Sequence, residues 1–83
     1  MEYSDIIINR IRSLCKNRRI SVNKLATMSG VSQSTLDNIM NRKTKSPGIV
    51  TLHMVAIAFN MTLAEFLDFD ELNDYSFESD TDD

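Results

Sequence analysis

Apolar residues recur at helical spacing through most of this 83-residue chain. Ile7, Ile8, Ile11 and Leu14 share one side of a turn-by-turn repeat, while Arg10, Arg12, Lys16, Arg18 and Arg19 load the remaining positions, the pattern of an amphipathic helix lying on a core. Ser4 is the expected cap of this helix, with Asp5 favoured at the positive end of its dipole, and the run ends near Arg19. Ser21 is a second cap residue and opens a short helix from Val22 to Met28, which Gly30 stops because glycine adopts positive φ without a Cβ penalty. Ser32 caps a third helix whose buried side is Leu36, Ile39 and Met40 and whose outer side reads Gln33, Ser34, Thr35, Asp37 and Asn38. A solvated helix face more often carries Glu and Lys than this set of short polar groups.

Asn41 to Gly48 is a basic, turn-forming loop, after which Leu52, Val55, Ala56 and Phe59 mark the stripe of a fourth helix running from about Ile49 to Phe59. Thr62-Leu63-Ala64-Glu65 has the capping-box spacing, so that Thr62 and Glu65 each satisfy a backbone donor at the start of a fifth helix containing Phe66 and Leu67. From Asn73 to Asp83 the apolar content is too low to predict stable order. Two Gly and one Pro in the whole chain favour helices joined by short turns over a meander of strands. The expected architecture is all-α, a compact five-helix domain over residues 1–69 followed by an acidic, flexible tail over residues 70–83.

Charge divides the chain in a way that its formal net charge of −3 conceals. Residues 1–48 hold all nine Lys and Arg against three acidic residues, for +6, whereas residues 49–83 hold nine acidic residues and no Lys or Arg. Basic surface next to a polyanion releases condensed counterions and supplies most non-specific affinity, so the first half points to a polyanionic partner. A chain of this size buries only about 60–65% of its unfolded surface, which leaves little room for a deep catalytic cleft. No Ser/His/acid set, phosphate-cradling glycine loop or ligand cluster is visible, and neither an enzyme nor a cofactor is expected. A single Cys15 excludes a disulfide framework, and Cys15 with the lone His53 falls short of a structural zinc set. The first residues show no basic stretch leading to a small-residue cleavage site, and no apolar run approaches the ~18 residues of a membrane span. A soluble, cytoplasmic protein without membrane or small-molecule partners is expected.

The second and third helices with their Gly30 turn have the form of a helix-turn-helix, whose second helix fits a major groove about 12 Å wide. Ala26 suits the close crossing of the two helices, and Leu25, Val31, Leu36 and Ile39 supply their shared core. The stretch LATMSGVSQSTLDNIMNRKTKSP, continuing to TLHMVAIAFNMTLAEFL, resembles the phage lambda repressor and Cro-like (XRE) family across roughly residues 8–67. The resemblance implies a five-helix DNA-binding domain that binds a double-stranded operator as a homodimer and regulates transcription, usually as a repressor.

Carried over by position, Gln33, Ser34 and Asn38, with Thr35 nearby, fall where that family reads bases. Their chemistry agrees, since Gln and Asn amides pair with adenine N6 and N7, and Ser or Thr bonds several base edges. Ser32 at the helix start suits a phosphate. Asn41, Arg42, Lys43 and Lys45 fall in the loop after the reading helix, where backbone contacts are implied, and Lys16, Arg18, Arg19, Asn23 and Lys24 are further phosphate candidates. Two positions depart from the family pattern. Val22 stands where relatives often have a phosphate-binding Gln, which leaves that contact to Asn23 or the backbone. Cys15 and Met40 stand where many relatives pair Arg with Glu, so packing is expected to replace an ion pair. His53 reads as a surface residue, Met28 as exposed, and Phe66, Leu67 and Phe69 as candidates for joining two copies. The rival reading keeps the helix-turn-helix fold but uses it as a protein-interaction or antitoxin-like module.

Overall fold

Four of the helices start where a side chain answers a donor that a helix N-terminus leaves free. The computed structural model describes residues 2–79 and is helical without strands among them: α1 (Tyr3–Arg18), α2 (Val22–Ser29), α3 (Gln33–Met40), α4 (Ile49–Ala58), α5 (Leu63–Leu67), α6 (Asp70–Asn73) and a closing 3-10 turn (Phe77–Ser79). Ser21 Oγ accepts the Lys24 N–H at 3.0 Å and Ser32 Oγ the Thr35 N–H at 3.1 Å. Thr62 and Glu65 form the reciprocal box, with Thr62 N–H donating to Glu65 Oε1 at 2.8 Å and Glu65 N–H to Thr62 Oγ1 at 3.0 Å. These three starts are as the sequence predicts.

The start of α1 is not. Glu2 is its cap residue, and the Glu2 N–H donates to the Asp5 carboxylate at 3.2 Å. Asp5 thus occupies the third helical position, where an acid both satisfies that donor and meets the dipole. Ser4, the expected cap, lies inside the first turn and is buried. At the other end Arg19 turns left-handed (φ 57°), and Ile20 N–H closes on Cys15 carbonyl at 3.0 Å, a six-to-one closure of the helix end.

One apolar cluster runs through the molecule. Ile7, Ile8, Ile11, Leu14 and Cys15 of α1 meet Leu25 and Ala26 of α2, Leu36 and Ile39 of α3, Leu52, Val55 and Ala56 of α4, then Phe59 and Phe66. Helix α2 packs on α3 and α4, α4 packs on α5, and α1 lies across α2, α3 and α6. Cys15 and Met40 belong to this same cluster, Cys15 buried and Met40 half-buried at its edge. Burial pushes the Cys15 thiol above its ordinary pKa, as expected of a small core residue rather than a reactive thiolate. Phe66, a sequence candidate for joining two copies, is 0% exposed and is committed to the core of a single copy.

The segment after α5 departs furthest from expectation. Where a flexible tail is expected from residue 70 and no stable order from Asn73, α6 packs against α1, and Tyr75 and Phe77 return to the start of the chain. Tyr3 and Tyr75 meet edge to face at 5.0 Å between ring centres, Tyr75 and Phe77 likewise at 4.9 Å, and Tyr3 stacks on Phe77 at 5.6 Å. Three rings supply enough contact to hold a polar segment, because aromatic pairs contribute beyond their buried area. Arg10 adds a second tie. Its Nε and Nη2 donate to the Phe66 and Glu65 carbonyls, both at 3.0 Å, and its guanidinium lies 4.7 Å from the Phe69 ring centre. A cation is thereby set at the negative end of α5. The last acidic residues, Asp80, Asp82 and Asp83, lie outside the described residues.

Candidate nucleic-acid interface

The geometry of the site begins at Gly30. Its φ of 77° is available to glycine without strain, its N–H returns to Ala26 carbonyl at 3.1 Å, and a Cβ there would come within 3.5 Å of the Met54 terminal methyl. Three residues, Gly30, Val31 and Ser32, separate α2 from α3, and buried Val31 anchors the turn. Leu36 and Ile39 then fix which way α3 faces, at 0% and 2% exposure. Gln33, Ser34, Thr35 and Asp37 are left exposed, with Asn38 half-buried at the margin.

Their polar groups are not equally free. Ser32 is spent on capping, and its hydroxyl also bonds the Thr35 hydroxyl at 2.8 Å. Gln33 Nε2 donates to Asp37 Oδ1 at 2.8 Å, one helical turn along. Among the described residues, the side chains of Ser34 and Asn38 make no hydrogen bond. The Asn38 backbone carbonyl accepts from Lys43 and Thr44 at 2.8 and 3.1 Å, which folds the basic loop back on the end of α3. Asn41 ends the helix, its N–H returning to Asp37 carbonyl at 2.9 Å. The structure thus joins the predicted reading residues and the loop into one continuous surface.

Besides Ser32, the two arginines Arg42 and Arg18 among the predicted phosphate residues already hold partners inside the chain. Arg42, left-handed at φ 62°, bonds Asp5 in the first turn of α1, and this pairing holds the Asp5 carboxyl below its usual pKa. Arg18 donates to the Phe59 carbonyl at the end of α4 and lies over the Phe59 ring. Both pairings reach across 37 and 41 residues respectively, so no local pattern signals them. Lys16, Arg19, Lys24, Lys43 and Lys45 are exposed and hold no ion pair among the described residues. Asn23 is exposed, and its carbonyl accepts from Thr27 at 3.3 Å. Sequence reasoning missed the Gln33–Asp37 bond, although its i, i+4 spacing is the signal for such pairs.

Among the described residues no helix is long and apolar enough to cross a membrane, and no group of three His, Cys, Asp or Glu is placed to hold a metal. The profile of the Cro/C1-type HTH DNA-binding domain matches residues 10–71. A similar fold occurs in the crystal structure of the prophage Lp1 protein 11, at a TM-score of 0.79 and 24% identity, covering 88% of this chain and 97% of that one. No curated protein matches. With the profile spanning α2, the Gly30 turn, α3 and the helices beyond, the chain belongs to the family of Cro/C1-type helix-turn-helix DNA-binding domains.

Proposed function

We propose that this chain is a sequence-specific transcriptional regulator that sets α3 in the major groove of an operator as a homodimer and acts as a repressor in the cytoplasm. The observation that carries the reading is the exposed face of α3, where Gln33, Ser34 and Thr35, with Asn38 at the edge, stand on a helix fixed from behind by Leu36 and Ile39. Amides and hydroxyls on a rigid support suit base edges, whose donor and acceptor patterns differ for every base pair in the major groove. Repression needs no further chemistry, since occupying a promoter suffices. Replacing Gln33 or Asn38 by Ala is expected to cost about 1–3 kcal/mol on the preferred site and to relax one base position. Selection of bound sites from randomised duplexes checks this, and an unchanged preferred sequence in both variants would overturn it.

Backbone contacts fall to the unpaired cations. Lys43 and Lys45 follow α3 directly, with Lys16, Arg19 and Lys24 on α1, its end and α2; Ser32, Asn23 and Asn41 add neutral groups at the helix ends. Arg42 and Arg18 each commit one guanidinium N–H, to Asp5 and to the Phe59 carbonyl, and have only their remaining donors to offer a phosphate. Changing Lys43 or Lys45 to Gln should weaken binding to specific and random duplexes alike and lower the slope of log affinity against log salt by about one. A fixed slope in both variants, measured by anisotropy titration across salt, would show the loop to be merely solvated.

Two copies join through α4. Ile49, Val50 and Ile57 are 58–69% exposed and line one stripe with exposed His53 between them. Helix α4 has no Asp, Glu, Lys or Arg. An isologous contact sets a patch against itself, so a neutral apolar stripe avoids the like-charge repulsion that the basic and acidic regions of this chain would meet.

A further inference from the structure

We propose that Asp37 is a specificity-determining positioning residue, which holds the Gln33 amide in the one orientation that selects adenine. The proposal rests on α3 reading bases, as set out above, and it names what decides the choice at one of them. A Gln side chain ends in a soft, nearly two-fold torsion. Left alone, it presents its oxygen or its nitrogen to a base with little preference, and so tolerates several base edges. Here Gln33 Nε2 donates to Asp37 Oδ1 at 2.8 Å.

An ionised carboxylate only accepts hydrogen bonds. Rotating the amide by half a turn would press Gln33 Oε1 against Asp37 Oδ1, two acceptors with no proton between them. The bond therefore selects the rotamer as well as the position. One Nε2–H is spent on Asp37, and the other Nε2–H and Oε1 remain for a ligand. That remaining pair, one donor beside one acceptor, matches the N7 acceptor and N6 donor of adenine; it mismatches guanine, which presents acceptors at both N7 and O6.

The placement of Asp37 is otherwise unfavourable. It is exposed, and it is the only acidic residue between Asp5 and Glu65, on the very helix proposed to enter the major groove of a polyanion. A carboxylate there repels the DNA backbone whatever the sequence. A merely solvated Asp37 and a positioning Asp37 therefore differ in what its removal does. Loss of a solvated charge strengthens binding to every duplex equally. Loss of a positioning charge strengthens random binding while weakening the choice of base.

The test uses the full chain and duplexes carrying the selected site with single base changes, the relevant base pair being the one relaxed by Gln33→Ala. Asp37→Ala is expected to lower the preference for adenine at that pair by roughly tenfold, about one hydrogen bond's share of a bidentate contact, while binding to random duplex does not fall. Asp37→Asn, whose amide can turn either its oxygen or its NH2 toward Gln33 and so no longer dictates the orientation, should relax the same base pair while keeping the side chain's size, and answers for any loss of folding in the Ala variant. Adding Asp37→Ala to Gln33→Ala should produce no further relaxation. Unchanged discrimination in Asp37→Ala, or relaxation at a different base pair, overturns the positioning role while base reading by Gln33 stands. If Gln33→Ala itself leaves every preference intact, base reading by this residue fails and the proposal falls with it.

Discussion

Phe66→Ala should lower the unfolding free energy by about 3–5 kcal/mol, the usual cost of removing a buried aromatic ring. The ring is 0% exposed, belongs to the same cluster as Phe59, and is supported from outside by Arg10, whose guanidinium lies 5.9 Å from its centre. Small domains lie near the low end of the ~5–15 kcal/mol range of protein stabilities, so the variant should stand close to its unfolding threshold. Leu67→Ala, which truncates a half-buried neighbour, should cost clearly less. Urea melts followed by far-ultraviolet circular dichroism give both values. If Phe66→Ala melts like the unaltered protein but changes oligomeric state, the ring serves an interface rather than the core.

Ile57→Asp should separate the two copies and weaken operator binding by about 100- to 1,000-fold, toward the affinity of non-specific contact. Ile57 is 63% exposed, so a polar replacement costs the folded monomer little. Across a two-fold interface the same change introduces two carboxylates at once. One α3 alone spans too few base pairs to discriminate, whereas paired copies bind half-sites about one helical turn, ~34 Å, apart. Sedimentation is expected to report a dimer for the unaltered chain and a monomer for the variant, with circular dichroism unchanged. A variant that remains dimeric, or that binds the operator as before, would show that the α4 stripe faces some other partner.

The helix starts at Ser21, Ser32 and Thr62 and the turn at Gly30 were legible because each depends on residues within four positions of one another. The α1 start was misread because Ser4 and the Glu2–Asp5 pair offer competing local solutions, and burial of Ser4 decides between them. A five-residue helix such as α5 is too short for periodicity to choose a face, so Phe66 could be assigned to either core or surface until its neighbours were known. The exposed polar face of α3 was visible in its composition. The diversion of Arg18 to Phe59 and of Arg42 to Asp5 was not, since both depend on segments that only the folded chain brings together.

The aromatic contact between Tyr3 and Tyr75 has a consequence for the order in which the molecule assembles. Successive helices α2 to α5 meet neighbours near in sequence, the kind of contact that forms early because little chain must be closed. Joining residue 3 to residue 75 brings together the two extremes of the described fold, a closure that Arg10 shortens by already tying α1 to the Phe66 carbonyl. The reward at that junction is modest: Phe77 stays 64% exposed, and the buried Tyr75 hydroxyl meets no hydrogen-bond partner among the described residues. The buried core from Ile7 to Phe66 contains none of these rings, and of the three Tyr3 packs against its edge. A junction so lightly held is expected to open before the core does, which amide hydrogen exchange at residues 70–79 against that of α2 and α3 would read.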